Sequence, residues 1–170
     1  RGLGLALLLL TPQAAAQQRP LEDEVKAAFL LNFTKFVEWP ASAFLDNSTP
    51  ISLCILGEGP VADTLAHLVQ DERAHGRAIA VKTVKAPGPS DGCHVLFIAR
   101  SEKDVRTLLA GVRPGVLTVG ESDSFIAEGG MIKFVVENRR VRFDISQAKA
   151  ARAMLAVNGR LLNVARVVEK

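Results

Sequence analysis

Cys93–Ala99 reads CHVLFIA and is the most hydrophobic strand candidate after residue 18. A strand that is apolar at nearly every position has both faces buried, which happens in a parallel sheet covered by helices on either side. Working outward, Ile51–Leu56 (ISLCIL), Ala78–Val84 and Val116–Val119 read as further strands of that sheet. A helix from Val61 to about Gln70 follows the turn Gly57-Glu58-Gly59-Pro60. A second helix is expected after Ser101, as N-cap, with Asp104 three residues on and Val105, Leu108, Leu109 and Val112 on its inner face. Ile132–Val136 and Val141–Ile145, separated by Glu137-Asn138-Arg139-Arg140, predict a β-hairpin.

Upstream, Glu22-Asp23-Glu24 supplies acid to a helix start, and Val25, Phe29, Phe33 and Phe36-Val37 form an apolar stripe. That helix should stop at Trp39, because Pro40 disfavours the α conformation in the residue before it. A long terminal helix is expected from about Gln147 to Val168, broken or kinked at Asn158-Gly159. This order predicts an α/β sandwich: a central mostly parallel sheet, helices on both faces and an antiparallel edge hairpin.

Residues 1–18, RGLGLALLLLTPQAAAQQ, place Arg1 before the apolar run Leu3–Leu10, then Thr11-Pro12 and Ala14-Ala15-Ala16. A basic region, a short apolar core and a small-residue cleavage box make a secretory signal, here clipped at its basic end. It is expected to be removed on export, leaving a chain that starts near Gln17. The run is too short to span a bilayer, which takes about 20 apolar residues. Residues 19–170 then form one domain, since about 150 residues suit a single core. Removal of Arg1 takes Lys+Arg from 21 to 20 against 18 Asp+Glu, a net charge of +2. The basic residues are scattered apart from Arg139-Arg140 with Arg142, and no aromatics interleave with them, which argues against nucleic acid as a partner. No later stretch approaches membrane-spanning length. Cys54 and Cys93 are the two cysteines. Two buried apolar thiols would fit these strands, but export and an even count favour one disulfide.

Gly57-x-Gly59-x-x-Ala62 sits between strand and helix, the setting of a dinucleotide fingerprint. The next strand carries Lys82 and Lys85 where an acid should hold the ribose, so a tight turn with Pro60 at the first helical position explains these residues. An anion of another kind at that helix N-terminus stays open. Gly120-Glu121-Ser122-Asp123-Ser124 resembles a nucleophile elbow but has Ser124 in place of the second Gly. Glu121 and Asp123 read as solvated loop carboxylates. His67, His75 and His94 stand in no metal-ligand spacing. No catalytic constellation, cofactor or metal is expected. Phe29 and Phe33 read as core; Trp39 beside Pro40 reads as partly exposed and suited to a partner surface. Leu161-Leu162 and Val167-Val168 put apolar residues on more than one face of the terminal helix, which marks deep packing or docking.

In order, several segments resemble the YfiR family of periplasmic proteins. They are Val25–Phe33 with Lys35–Pro40, Leu53–Gly57, Gly76-Arg77, Cys93–Ile98, Leu117–Gly120, Gly129–Ile132, Arg140–Ile145 and Leu161-Leu162. The match covers roughly Glu22 to Val167. Asp144-Ile145-Ser146 and Asn158-Gly159 stand where the family usually has a Glu-Ile-Asn-like triplet and a Ser-Ser pair. The resemblance implies a non-enzymatic periplasmic regulator with an α/β sandwich fold. It implies repression of cyclic di-GMP synthesis through binding the periplasmic sensor domain of an inner-membrane diguanylate cyclase, or in related arrangements a sensor kinase. It also implies a homodimer and a bond between cysteines placed like Cys54 and Cys93. The residue reading assigns partner contacts to Trp39, Leu161 and Leu162. A small-ligand sensor or carrier, using Gly57, Gly59, Glu121 and Ser122 at the sheet's C-terminal edge, is the alternative.

Overall fold

The computed structural model describes residues 13–86, 88 and 92–170, with 13–18 as backbone alone. The expected apolar leader core Leu3–Leu10 and most of the loop at 87–91 lie outside the described residues. Along the chain run α1 Gln13–Phe36, β1 Val37–Glu38, a 3-10 turn Ala41–Ala43, β2 Ile51–Leu56, α2 Val61–Leu68, β3 Arg73–Ala74 and β4 Arg77–Val84. Then come β5 Val95–Ile98, α3 Val105–Ala110, β6 Leu117–Gly120, β7 Ile132–Glu137 and β8 Arg140–Ser146. The chain closes with α4 Gln147–Arg152, β9 Ala156–Val157, α5 Gly159–Val164 and β10 Val167–Glu169. Among the described residues no helix is long and apolar enough to cross a membrane.

Eight strands form one sheet in the order β10-β8-β7-β6-β5-β2-β4-β3, while β1 and β9 pair as a separate antiparallel ribbon. Neighbours from β4 through β7 are parallel, and β7–β8 is the antiparallel hairpin. The two-residue turn at Asn138-Arg139 has φ of 49° and 61°, the twist a tight hairpin requires. β10 adds parallel to β8 and makes the edge outside the hairpin.

β5 is buried at all its positions, and alternation sends its side chains to two cores. Val95 and Phe97 join Leu53, Ile55, Leu117 and Val119 under Leu30, Phe33 and Leu65 of α1 and α2. Leu96 and Ile98 join Cys54 and Leu56 beneath Val105 and Phe125 on the opposite face. Phe29 and Phe33 pack with Phe134 and Phe143 at centroid distances of 5.2–6.1 Å, edge-on against Phe143, as the core reading of those rings expects. The Phe125 ring is held between two glycines: a Cβ on Gly120 or Gly130 would come within 2.2 or 2.1 Å of it.

Four boundaries differ from the sequence reading. α1 begins at Gln13, so Glu22-Asp23-Glu24 lie in its interior and not at its start. α1 ends at Phe36, before Trp39, because Val37-Glu38 finds strand partners in Ala156-Val157 and the Asn158 N–H caps the Phe36 carbonyl at 2.9 Å. Asp104, not Ser101, caps α3 by accepting the Thr107 N–H, while the Ser101 hydroxyl accepts the Glu58 N–H. The single terminal helix is instead α4, β9, α5 and β10. Met154 turns left-handed with φ 63° just after α4, and the Asn158 side chain restarts a helix by accepting the Arg160 N–H. Arg166 then fixes β10, donating to both Asp144 carboxylate oxygens at 2.8 and 2.6 Å.

Candidate functional site

At the C-terminal ends of the parallel strands the chain leaves the sheet at Gly57, Ala99 and Gly120. Gly57 turns with φ 99°, and a Cβ there would meet the Ser101 hydroxyl at 2.6 Å. The segments that follow these exits and residues 19–26 of α1 frame a cleft of about 550 Å³, with Gly59, Pro60, Arg100 and Glu121 among its walls and Ile55 and Phe97 beneath. Lys26 Nζ donates to Glu121 Oε1 at 2.6 Å, and the Arg100 N–H donates to Oε2 at 2.8 Å. Arg100 Nη2 also donates to the Glu121 carbonyl at 3.2 Å. Glu121 is therefore no solvated loop carboxylate; it is 8% exposed and bound on both oxygens, whereas Asp123 is exposed. Asp23, 3.7 Å from Lys26, has its carboxyl pushed upward by desolvation, with Lys26 pulling against that.

Of the expected ligand-loop residues, Gly59 and Glu121 meet on this cleft. Gly57 shapes its approach, and Ser122 adjoins Glu121, its hydroxyl buried without a hydrogen-bond partner among the described residues. Lys26 was not foreseen there. Its signal was present: Lys26, Leu30 and Phe33 share one face at i, i+4 and i+7, so the cation lies on a buried stripe.

The opposite end of the sheet gathers the second group. Cys54 and Cys93 form a disulfide with Cα atoms 5.7 Å apart, tying β2 to the start of β5. His94 Nδ1 accepts the Ser52 N–H at 3.0 Å, so Nε2 carries the proton and donates to the Ala43 carbonyl at 3.0 Å. Both ring atoms are committed to a neutral imidazole. Desolvation pushes its pKa down; the Ala43 contact opposes this, and Arg113, Arg77 and Lys82 add to the lowering. The ring stacks on Phe44 at 4.5 Å, and the Arg77 guanidinium lies 3.7 Å from the centre of Phe44. Trp39 is half-buried and donates its indole N–H to the His94 carbonyl at 3.2 Å. On α5, Leu161 is buried at 3% exposure, Leu162 is half-buried, and Val164 is 56% exposed. Leu161 thus points into this chain's own core, because α5 packs against α1.

No group of three or more His, Cys, Asp or Glu placed to hold a metal occurs among the described residues. No curated protein matches the chain. The family described as YfiR/HmsC-like matches residues 23–166, so the chain belongs to that family.

Proposed function

We propose that this YfiR/HmsC-like chain is a non-enzymatic periplasmic regulator that inhibits an inner-membrane diguanylate cyclase by binding its periplasmic sensor domain, so lowering cyclic di-GMP. The family match over residues 23–166 carries the reading, because that family supports a periplasmic regulator acting on a membrane signalling partner. The cyclase as partner and a homodimeric state rest on the resemblance of the sequence motifs to the YfiR family. The Cys54–Cys93 bond fits an oxidising compartment. Pro20 supports removal of the leader after Ala16. It lies inside α1, where its ring opposes the carbonyl of Ala16 four residues back. A chain starting at Gln17 puts Pro20 in the first turn, where no such bond is needed.

Partner contacts are assigned to Trp39 and to α5 around Leu162, with Leu161 seating the helix from below. Inhibition is a population shift: the regulator binds the inactive sensor better than the active one. Moving such an equilibrium from 1:99 to 99:1 takes about 5.5 kcal/mol of differential affinity. The test is co-purification from membranes with measurement of cellular cyclic di-GMP. Trp39→Ala and Leu162→Asp, if they keep the parent's thermal midpoint, should release the partner and raise cyclic di-GMP. Unchanged cyclic di-GMP on deleting the gene, with no membrane protein retained, would sink the reading. A second reading, a periplasmic sensor or carrier of a small ligand, is favoured by the cleft that Gly59 and Glu121 both line.

A further inference from the structure

The N-terminal end of the parallel sheet carries two adjoining recesses that the cleft at Glu121 does not include. One, about 400 Å³, is walled by Phe44, Leu45, Pro114 and Met154. The other, about 310 Å³, has Leu109, Val116 and Met131 beneath and Lys149 and Arg152 on its rim. Arg113 and Pro114 line both and form the ridge between them. Every charged residue among the described walls is a cation. Lys149 is paired with Glu169 at 3.2 Å, whereas Arg113 and Arg152 are exposed and make no ion pair among the described residues. Ser42, Thr49 and His94 in the first recess and Thr118 in the second are the uncharged polar side chains among the apolar lining.

Two lip residues are poor choices for a merely solvated surface. Leu45 is 96% exposed. Met154 is 59% exposed and holds φ 63° at the position just after α4, where glycine is favoured. A side chain held in the left-handed region costs stability, and here that backbone conformation sets the Met154 side chain on the wall of the recess.

We propose that these two recesses form one docking groove for an acidic, apolar-anchored protein segment of the membrane partner. Two apolar side chains of the segment would fill the recesses beside Leu45 and Met154, and its carboxylates would meet Arg113 and Arg152. Charge complementarity selects this occupant. A second copy docked through the same face would bring arginines onto arginines. The inference rests on the reading that the chain acts by binding a membrane protein, and it adds to the contacts at Trp39 and Leu162 a second surface with its own chemistry.

The test places a photoreactive benzoylphenylalanine at Leu45 or at Met154 of the full-length protein in producing cells. The cross-linked segment is identified by mass spectrometry, and co-purification of membrane proteins is followed in parallel. The expected product is a segment of a membrane protein with apolar residues and at least two carboxylates. With the probe at Leu45, its yield should fall at least tenfold in Arg113→Glu, in Arg152→Glu and in Met154→Gly. Met154→Gly should also raise the thermal midpoint, so its loss of binding cannot be a loss of folding. Cross-links to lipid, to a second copy or to nothing, while a membrane protein still co-purifies, overturn the groove and leave the regulator reading standing. A protein cross-link indifferent to both charge reversals overturns the groove as well. Absence of any retained membrane protein takes down both.

Discussion

Lys26→Met should cost this protein about 3–5 kcal/mol, the range for removing one partner of a buried ion pair. The Lys26 and Glu121 side chains are 10% and 9% exposed, and their charged atoms are 2.6 Å apart. Loss of the ammonium leaves the Glu121 carboxylate under the mouth of the cleft with the Arg100 N–H as its nearest donor. Glu121→Gln should cost less. A neutral amide still accepts the Arg100 N–H, and Lys26 has Asp23 at 3.7 Å as a second partner. The double variant Lys26→Met/Glu121→Gln should recover part of the first loss, because an apolar side chain then faces an uncharged one. For a domain of this size, 3–5 kcal/mol corresponds to a fall of roughly 6–20 °C in thermal midpoint. Urea denaturation of the four proteins closes the double-mutant cycle. A Lys26→Met cost below about 1 kcal/mol, or no coupling between the two changes, would show that water solvates the pair and refute the reasoning.

Non-reducing peptide mapping should recover Cys54 and Cys93 joined; the bond closes a 39-residue separation, so Cys54→Ser should cost up to about 4 kcal/mol in the chain-entropy treatment. Gly130→Ala, measured by denaturant titration, should unseat the Phe125 ring that a Cβ there would meet at 2.1 Å. Its cost should approach the 3–5 kcal/mol expected for Phe125→Ala, and the two losses should not add. His94 is held neutral, with its pKa below the ordinary 6.5 through desolvation first. Above that pH both folded and unfolded states are neutral there; as pH falls below 6.5 the unfolded chain takes the proton first, and stability drops until the folded pKa is reached. The denaturation midpoint of the parent should therefore fall more steeply from pH 7 to 5 than that of His94→Gln, and equal slopes would discount the imidazole.

Local pattern alone determined the alternation of strands and helices, the buried strand at Val95–Ile98, the hairpin at Ile132–Ser146 and the family motifs. Each of these follows from signals within a few residues: unbroken apolar runs, helical spacing and turn chemistry. The ends of elements were decided by distant partners. Phe36–Trp39 could have continued a helix as far as Pro40, but Ala156-Val157 supply ladder bonds to Val37-Glu38, which local propensity cannot see. Likewise Gln147–Val168 is apolar enough for one helix, yet the parallel edge at Asp144–Ser146 and the Arg166–Asp144 pair draw its last residues into a strand. The candidate sites divide in the same way. Gly57, Gly59 and Glu121 could be placed at the sheet's C-terminal edge from sequence, since loops after parallel strands gather there. The pairing of Glu121 with Lys26 across 95 residues exists only because α1 packs over the sheet, and the meeting of Arg113 with Met154 on one groove only because the segment after α4 folds back beside the start of β6, where the Gly115 N–H donates to the Ala153 carbonyl at 3.0 Å. Burial then fixes which charges must pair, because a desolvated carboxylate persists only where the fold delivers it a donor.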